Sequence, residues 1–151
     1  MSRNYYSEIN LHITWHTKDN DPILVGDVER FAHEELRKRI IDTPNVHLHE
    51  IDGTDDHVHI AVSVPPTLTP STWIGQLKGG TSHEVNRRIR PSGKCLQWQA
   101  GYGVTSFATS QLEYIKAYIR NQKTHHANGT TVWKLEQVDQ IDDELQASDP
   151  A

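Results

Sequence analysis

The chain is poor in cysteine, in long apolar runs and in positive charge, and each shortage removes a class of protein. One cysteine, Cys95, in 151 residues leaves no intrachain disulfide and no Cys-rich zinc site. No stretch of 18 or more apolar residues occurs, which excludes a membrane-spanning helix. Met1 to Glu8 has no basic run leading into an apolar one. No secretory signal is therefore expected, and the expected compartment is the reducing cytoplasm. Internal repeats and low-complexity tracts are lacking too. Apolar residues make up 35% and the mean hydropathy is -0.67. Four Trp, five Tyr and spaced Ile, Leu and Val can still build a core for one domain.

The net charge of -5 looks wrong for a nucleic-acid binder, but it averages over a gradient. Met1 to Thr72 holds 6 Lys/Arg against 12 Asp/Glu, Trp73 to Leu135 holds 9 against 2, and Glu136 to Ala151 holds 6 acidic residues and no basic one. A basic middle segment permits a polyanionic partner without requiring one. The composition divides the chain into a domain over 1–135 and an acidic tail over 136–151, expected to be frayed or disordered.

Hydrophobic periodicity supplies the elements. Ile9, Leu11, Ile13 and Trp15 alternate with Asn10, His12, Thr14 and His16, which predicts a half-buried strand. Asp27 is placed to cap a helix over Val28 to about Ile41, with Val28, Phe31, Leu36 and Ile40 inward. Val46, Leu48 and Ile51 mark a second strand, and Gly53-Thr54-Asp55 a turn. His57 to Val64 marks a third strand, completing a hairpin. A second helix runs from Thr69 or Ser71 through Leu77 towards Ile89, with Gly79-Gly80 weakening its middle. Leu96 to Thr109 suits one extended strand or two short ones. Ser110 opens a third helix over Gln111 to about His126. The order β-α-β-β-α-β-α predicts an α+β sandwich of the ferredoxin-like kind, with helices on one face of an antiparallel sheet.

Three groups of residues carry possible chemistry. His57 and His59 stand two apart on a strand, so both imidazoles share a face at a spacing suited to one divalent ion. Asp55 and Asp56 lie just upstream, where a carboxylate can orient an imidazole. Spacing alone leaves open that the two are surface histidines, and His47 and His49 are read that way. On the third helix, Tyr114, Tyr118 and Gln122 form a stripe separate from the apolar Leu112, Ile115 and Ile119. A tyrosine hydroxyl can act as a nucleophile, and a glutamine carbonyl is a hard oxygen ligand for Mg²⁺ or Mn²⁺. Tyr118 packing as a half-buried aromatic is the plainer alternative. Lys78, Arg87 and Arg88, with Trp98 and Tyr102, offer cations and aromatic faces suited to a single-stranded nucleic acid.

Taken in order, the motifs resemble the single-tyrosine HUH transposases, the small enzymes of the simplest bacterial insertion sequences, and their palindrome-associated relatives. The resemblance runs from about Tyr5 to Glu136. It rests on His16-Thr17-Lys18, Asp56-His57-Val58-His59-Ile60, Leu77-Lys78-Gly79 with Ser82, Trp98-Gln99-Ala100-Gly101-Tyr102-Gly103, and Tyr118-Ile119-Arg120-Asn121-Gln122 followed by His125-His126.

The resemblance implies an HUH nuclease fold, Tyr118 as nucleophile, and Mg²⁺ or Mn²⁺ held by His57, His59 and Gln122. It implies cleavage of single-stranded DNA beside a hairpin through a 5′-phosphotyrosine link, followed by rejoining. A homodimer in which the tyrosine helix of one copy completes the histidine site of the other is also implied, with Gly101, Gly103 and the loop near Thr109-Ser110 allowing that helix to swing. His125 and His126 are expected on the surface. Two other readings fit the same fold. One is a domesticated hairpin-binding protein, and the other is a metal-dependent phosphoesterase or nuclease that uses water in place of Tyr118.

Overall fold

The computed structural model describes residues 4–138. Four strands, β1 (Asn10–His16), β2 (His47–Gly53), β3 (His57–Ser63) and β4 (Gly103–Ser106), form one antiparallel sheet in the order β2-β3-β1-β4. Helices α1 (Gly26–Ile41) and α2 (Pro70–Ile89) are the two crossovers. Three short helices follow, α3 (Leu112–Arg120), α4 (Gln122–Asn128) and α5 (Trp133–Glu136). The fold is α+β, as the element order predicts.

Strand alternation sets what each face holds. Leu11, Ile13 and Trp15 of β1 and Val58, Ile60 and Val62 of β3 point into one buried cluster with Val28, Ala32, Leu36 and Ile40 of α1 and Ile74, Leu77 and Val85 of α2. The alternate residues, His12 and Thr14 of β1 and His57, His59 and Ala61 of β3, are buried as well. The expectation of helices on one face only is therefore corrected. Helix α3 covers the second face, where Ile115, Tyr118 and Ile119 pack with Ala61 and with Leu135 of α5. Buried His12, Thr14, His57 and His59 give this face polar atoms that the aliphatic face lacks, beside the small apolar Ala61.

Several boundaries differ for local reasons. Helix α1 starts one residue before Asp27, which pairs with Arg30 instead of capping. Helix α2 is unbroken at Gly79-Gly80. A Cβ at Gly80 would meet the Arg39 guanidinium of α1, the movable end of a flexible side chain. The single expected helix over Gln111 to about His126 is two, because the chain leaves helical geometry at Asn121 (φ -102, ψ 24). Between Leu96 and Thr109 the only strand is β4, with an isolated bridge from Trp98 to Thr17. Gly53 closes the β2–β3 hairpin so tightly that a Cβ there would strike the His57 carbonyl. That closure fixes where the third strand and its histidines begin. No helix among the described residues is long and apolar enough to cross a membrane.

Candidate active site

The register of β1 against β3 places His16 opposite His57 and Thr14 opposite His59. The His16 and His57 rings stack with centroids 4.6 Å apart. Both strand histidines are buried, at 1% and 0% exposure, so they are not surface residues. His57 Nδ1 lies 2.7 Å from Asp56 Oδ1. A carboxylate only accepts, so Nδ1 carries a proton, and Nε2 faces inward. His59 Nδ1 lies 2.7 Å from Nε2 of buried His12, and its own Nε2 also faces inward.

Helices α3 and α4 bring the other half. Arg120 pairs with Glu50 at 3.0 Å. Lys123 pairs with Glu29 at 2.9 Å and donates to the Gly53 carbonyl at 3.1 Å. These contacts pin the helices to β2 on either side of Gln122. Tyr118 (3% exposed) and Gln122 (0%) are buried against the histidines, whereas Tyr114, on the same stripe, is 53% exposed. Gln122 Oε1 is 3.4 Å from His57 Nε2. The Tyr118 ring lies edge-on to His59, with centroids 6.0 Å apart, and His125 stacks on its other side at 4.7 Å. The Tyr118 hydroxyl donates to Glu136 Oε2 and accepts from the Val132 amide at 2.9 Å.

Sequence reasoning missed three residues of this cluster. His12 was legible only as a polar residue of β1, since its meeting with His59 depends on strand register. His126 is exposed on one side, as expected, yet its Nε2 lies 3.1 Å from both Gln122 Oε1 and Glu136 Oε1. Glu136 was placed at the start of the acidic tail. It instead ends α5, with Oε1 3.2 Å from His59 Nε2 and 3.4 Å from His57 Nε2. The signal that could have found it is Leu135, the one buried residue of α5. Residues 139–151 of the expected tail lie outside the described residues.

Burial disfavours a charged His57, but its hydrogen bonds with Asp56 and Glu136 outweigh that and raise the group to about 9. Burial dominates at His59, held at about 4 despite Glu136, and at His12, held at about 3 with help from the neighbouring His59. Burial and the Glu136 carboxylate push the Tyr118 hydroxyl up to about 12. Burial alone would raise the Glu136 carboxyl, yet hydrogen bonds from His57 and His59 take it below the usual carboxylate range. The donor set suits a cation. Three imidazole nitrogens, one carboxylate oxygen and one amide carbonyl face a common point, and no Lys or Arg is among them.

The residues expected to contact DNA are dispersed. Lys78 Nζ donates to the carbonyls of Gln99 and Gly101 at 2.8 and 2.9 Å. Trp98 donates to the Lys78 carbonyl and meets Trp15 edge-on. Its loop, with Gln99 bonded to the His16 amide, borders the histidine end of β1, and half-buried Tyr102 follows it. Arg87 and Arg88 sit at the far end of α2, in the other helix layer. Arg87 pairs with Glu84, and Arg88 lies 3.6 Å over the Phe31 ring. His47 and His49 stay away from the site, as expected, with His49 bonded to Ser63.

A family model described as "Transposase IS200 like" matches residues 5–122. The chain belongs to the IS200-like transposase family. Transposases of the insertion sequence element IS200 from Salmonella typhimurium and Salmonella typhi are each 31% identical to it over 71 residues, which is 47% of this chain and 46% of theirs. The match thus spans about half the length of these relatives. Among solved structures, a protein of Deinococcus radiodurans R1 assigned as a transposase is similar in fold, with TM-score 0.62 and 23% identity over 81% of this chain and 96% of that one. A REP-associated tyrosine transposase bound to a REP hairpin gives TM-score 0.59 and 16% identity, over 87% and 75%. The family match includes His57, His59, Tyr118 and Gln122 and ends before His126 and Glu136.

Proposed function

We propose that this transposase cuts and rejoins single-stranded DNA at hairpin-marked ends through a covalent phosphodiester bond to Tyr118. The observation that carries the reading is the convergence of Tyr118 and Gln122, from the last helices, on the His57–His59 pair of β3. Hairpin DNA as the partner is supported by the fold neighbour that carries a REP hairpin. The reading places the protein in the cytoplasm with its DNA.

The attack forms a bond from Tyr118 Oη to phosphorus and breaks the bond to O3′, leaving a 5′-phosphate on the tyrosine and a free 3′-hydroxyl. The hydroxyl proton already points at Glu136 Oε2 and passes to it in the attack, and the departing O3′ takes up a proton from water. Attack by a 3′-hydroxyl on the tyrosyl phosphodiester reverses these bond changes, so rejoining needs no outside energy. His57, His59 and Gln122 would hold Mg²⁺ or Mn²⁺, which when bound polarises the phosphate and offsets charge on its oxygens. Asp56 and His12 keep the two imidazoles turned towards that point. Both hydrogen bonds of the Tyr118 hydroxyl are made within the chain, so an incoming phosphate displaces at least the Val132 contact.

Of the proposed DNA contacts, Trp98 and Tyr102 border the site, whereas Lys78 supports their loop. Arg87 and Arg88 would meet only a more distant part of a hairpin. A homodimer with exchanged tyrosine helices belongs to the same reading. In the structure α3 completes the site of its own chain, and exchange would have to break the Asn10–Thr109 bond of 2.9 Å.

The test uses single-stranded DNA from the flanks of the encoding gene with Mn²⁺, resolved on a denaturing gel. A protein–DNA adduct that disappears in Tyr118→Phe and with chelator is expected. Cleavage that survives Tyr118→Phe would instead establish a water-using nuclease, and binding without cleavage would establish a hairpin binder.

A further inference from the structure

Resting on that reading, we propose that Glu136 and His126 are themselves ligands of the metal. The chain then supplies three imidazoles, one amide carbonyl and one carboxylate, a set suited to a first-row transition ion rather than Mg²⁺.

Geometry is the first support. Glu136 Oε1 lies 3.1, 3.2 and 3.4 Å from the Nε2 atoms of His126, His59 and His57. Gln122 Oε1 lies 3.1 and 3.4 Å from those of His126 and His57. Donors around an ion with bonds of about 2.1 Å stand roughly 3 Å apart along the edges of the coordination polyhedron. His57, His59, His126 and Glu136 each offer an atom within 4.8 Å of all the others.

The placement of Glu136 is also built in. Leu135 anchors the preceding position in the cluster with Ile115 and Ile119. A Cβ on Gly103 would collide with the Gln137 carbonyl, so the glycine in β4 leaves the space that lets the segment lie against the sheet. The second carboxylate oxygen holds the Tyr118 hydroxyl. One side chain therefore ties the nucleophile to the ion.

The chemistry decides the class of ion. Three imidazoles favour Mn²⁺, Co²⁺ or Zn²⁺ over Mg²⁺, which prefers oxygen donors and retained waters. The carboxylate also removes one unit of positive charge that the neutral set His57, His59 and Gln122 would leave. Metal binding by the DNA-free chain should accordingly be tight.

The test is Co²⁺ titration of the chelator-stripped full chain, followed by calorimetry and by visible absorption, with circular dichroism to verify folding. Glu136→Ala is expected to lower affinity 10- to 100-fold and to change the Co²⁺ spectrum, with Glu136→Gln and His126→Ala shifting both in the same direction. His57→Ala should cost more than any of them. Unchanged or tighter binding in Glu136→Ala with an unaltered spectrum would overturn the proposal, since the carboxylate would then only fill the ion's place. Loss of binding in His57→Ala in that same experiment would leave the histidine–glutamine reading standing. Binding indifferent to His57→Ala as well would overturn both.

Discussion

The two faces of the sheet are made by the same strands and do opposite things. On the face under α1 and α2, every inward residue of β1 and β3 is aliphatic or Trp15, and burial there contributes stability. On the face under α3, the alternate residues of those strands are equally hidden, but beside Ala61 they include the polar His12, Thr14, His57 and His59. Burial of polar groups costs free energy unless each finds a partner. Here the histidines are partnered by one another, Asp56, Gln122 and Glu136, and Thr14 donates to the Val58 carbonyl. Solvent exposure does not separate the structural face from the chemical one, because both are dry. What separates them is whether the buried side chains carry polar atoms that converge on one another.

Four perturbations would break or sharpen that contrast. The largest effect is expected for Tyr118→Phe, which removes the oxygen proposed to attack and should abolish cleavage and adduct on a denaturing gel. It also leaves Glu136 and the Val132 amide short of a partner, so urea unfolding should show a loss of roughly 1–3 kcal/mol. Near-normal cleavage would deny the polar face its assigned role. On the other face, Ile60→Ala leaves a cavity at a fully buried position and should cost roughly 2–5 kcal/mol. Metal affinity measured well below the melting temperature should stay unchanged. A variant that keeps its stability but loses metal would show that the two faces are not separable.

The third perturbation acts through His59. His12→Leu removes the hydrogen-bond partner of its Nδ1, and metal affinity by calorimetry should fall by about 10- to 100-fold. His12→Gln, which restores a polar partner, should recover part of it. Equal losses in both variants would mean that His12 matters only for packing. The smallest effect concerns His33, a half-buried histidine of α1 outside the site. Burial holds its pKa below the ordinary value, so the unfolded chain binds more protons than the folded one just below pH 6.5. Stability therefore rises with pH through that window and declines as pH falls. In urea unfolding at pH 7.5 and 5, His33→Phe should flatten this decline, and an identical slope in both chains would contradict it.

Much of this was readable in advance, for physical reasons. Period-two alternation exposed β1 and β3, and it put His57 and His59 on one face. Period 3.6 put Tyr118 and Gln122 one turn apart, and the backbone kept that relation even though the helix breaks at Asn121, between them. Asp56, next in sequence to His57, was visible for the same local reason. What could not be read depends on contacts made across the fold. The short α3 pattern does not say which sheet face it covers, and the pairing of His12 with His59 depends on strand register. Glu136 counted only as one more charge in an acidic run. Its neighbour Leu135 and the space at Gly103, 33 positions earlier in the chain, are what bring it to the histidines.

The most direct measurement is to trap the protein–DNA adduct formed with hairpin-bearing single-stranded DNA and Mn²⁺, digest it, and locate the nucleotide by mass spectrometry. The account predicts a phosphodiester on Tyr118, absent after chelation. An adduct on any other residue, or cleavage that leaves free 5′-phosphate and no adduct, would contradict it.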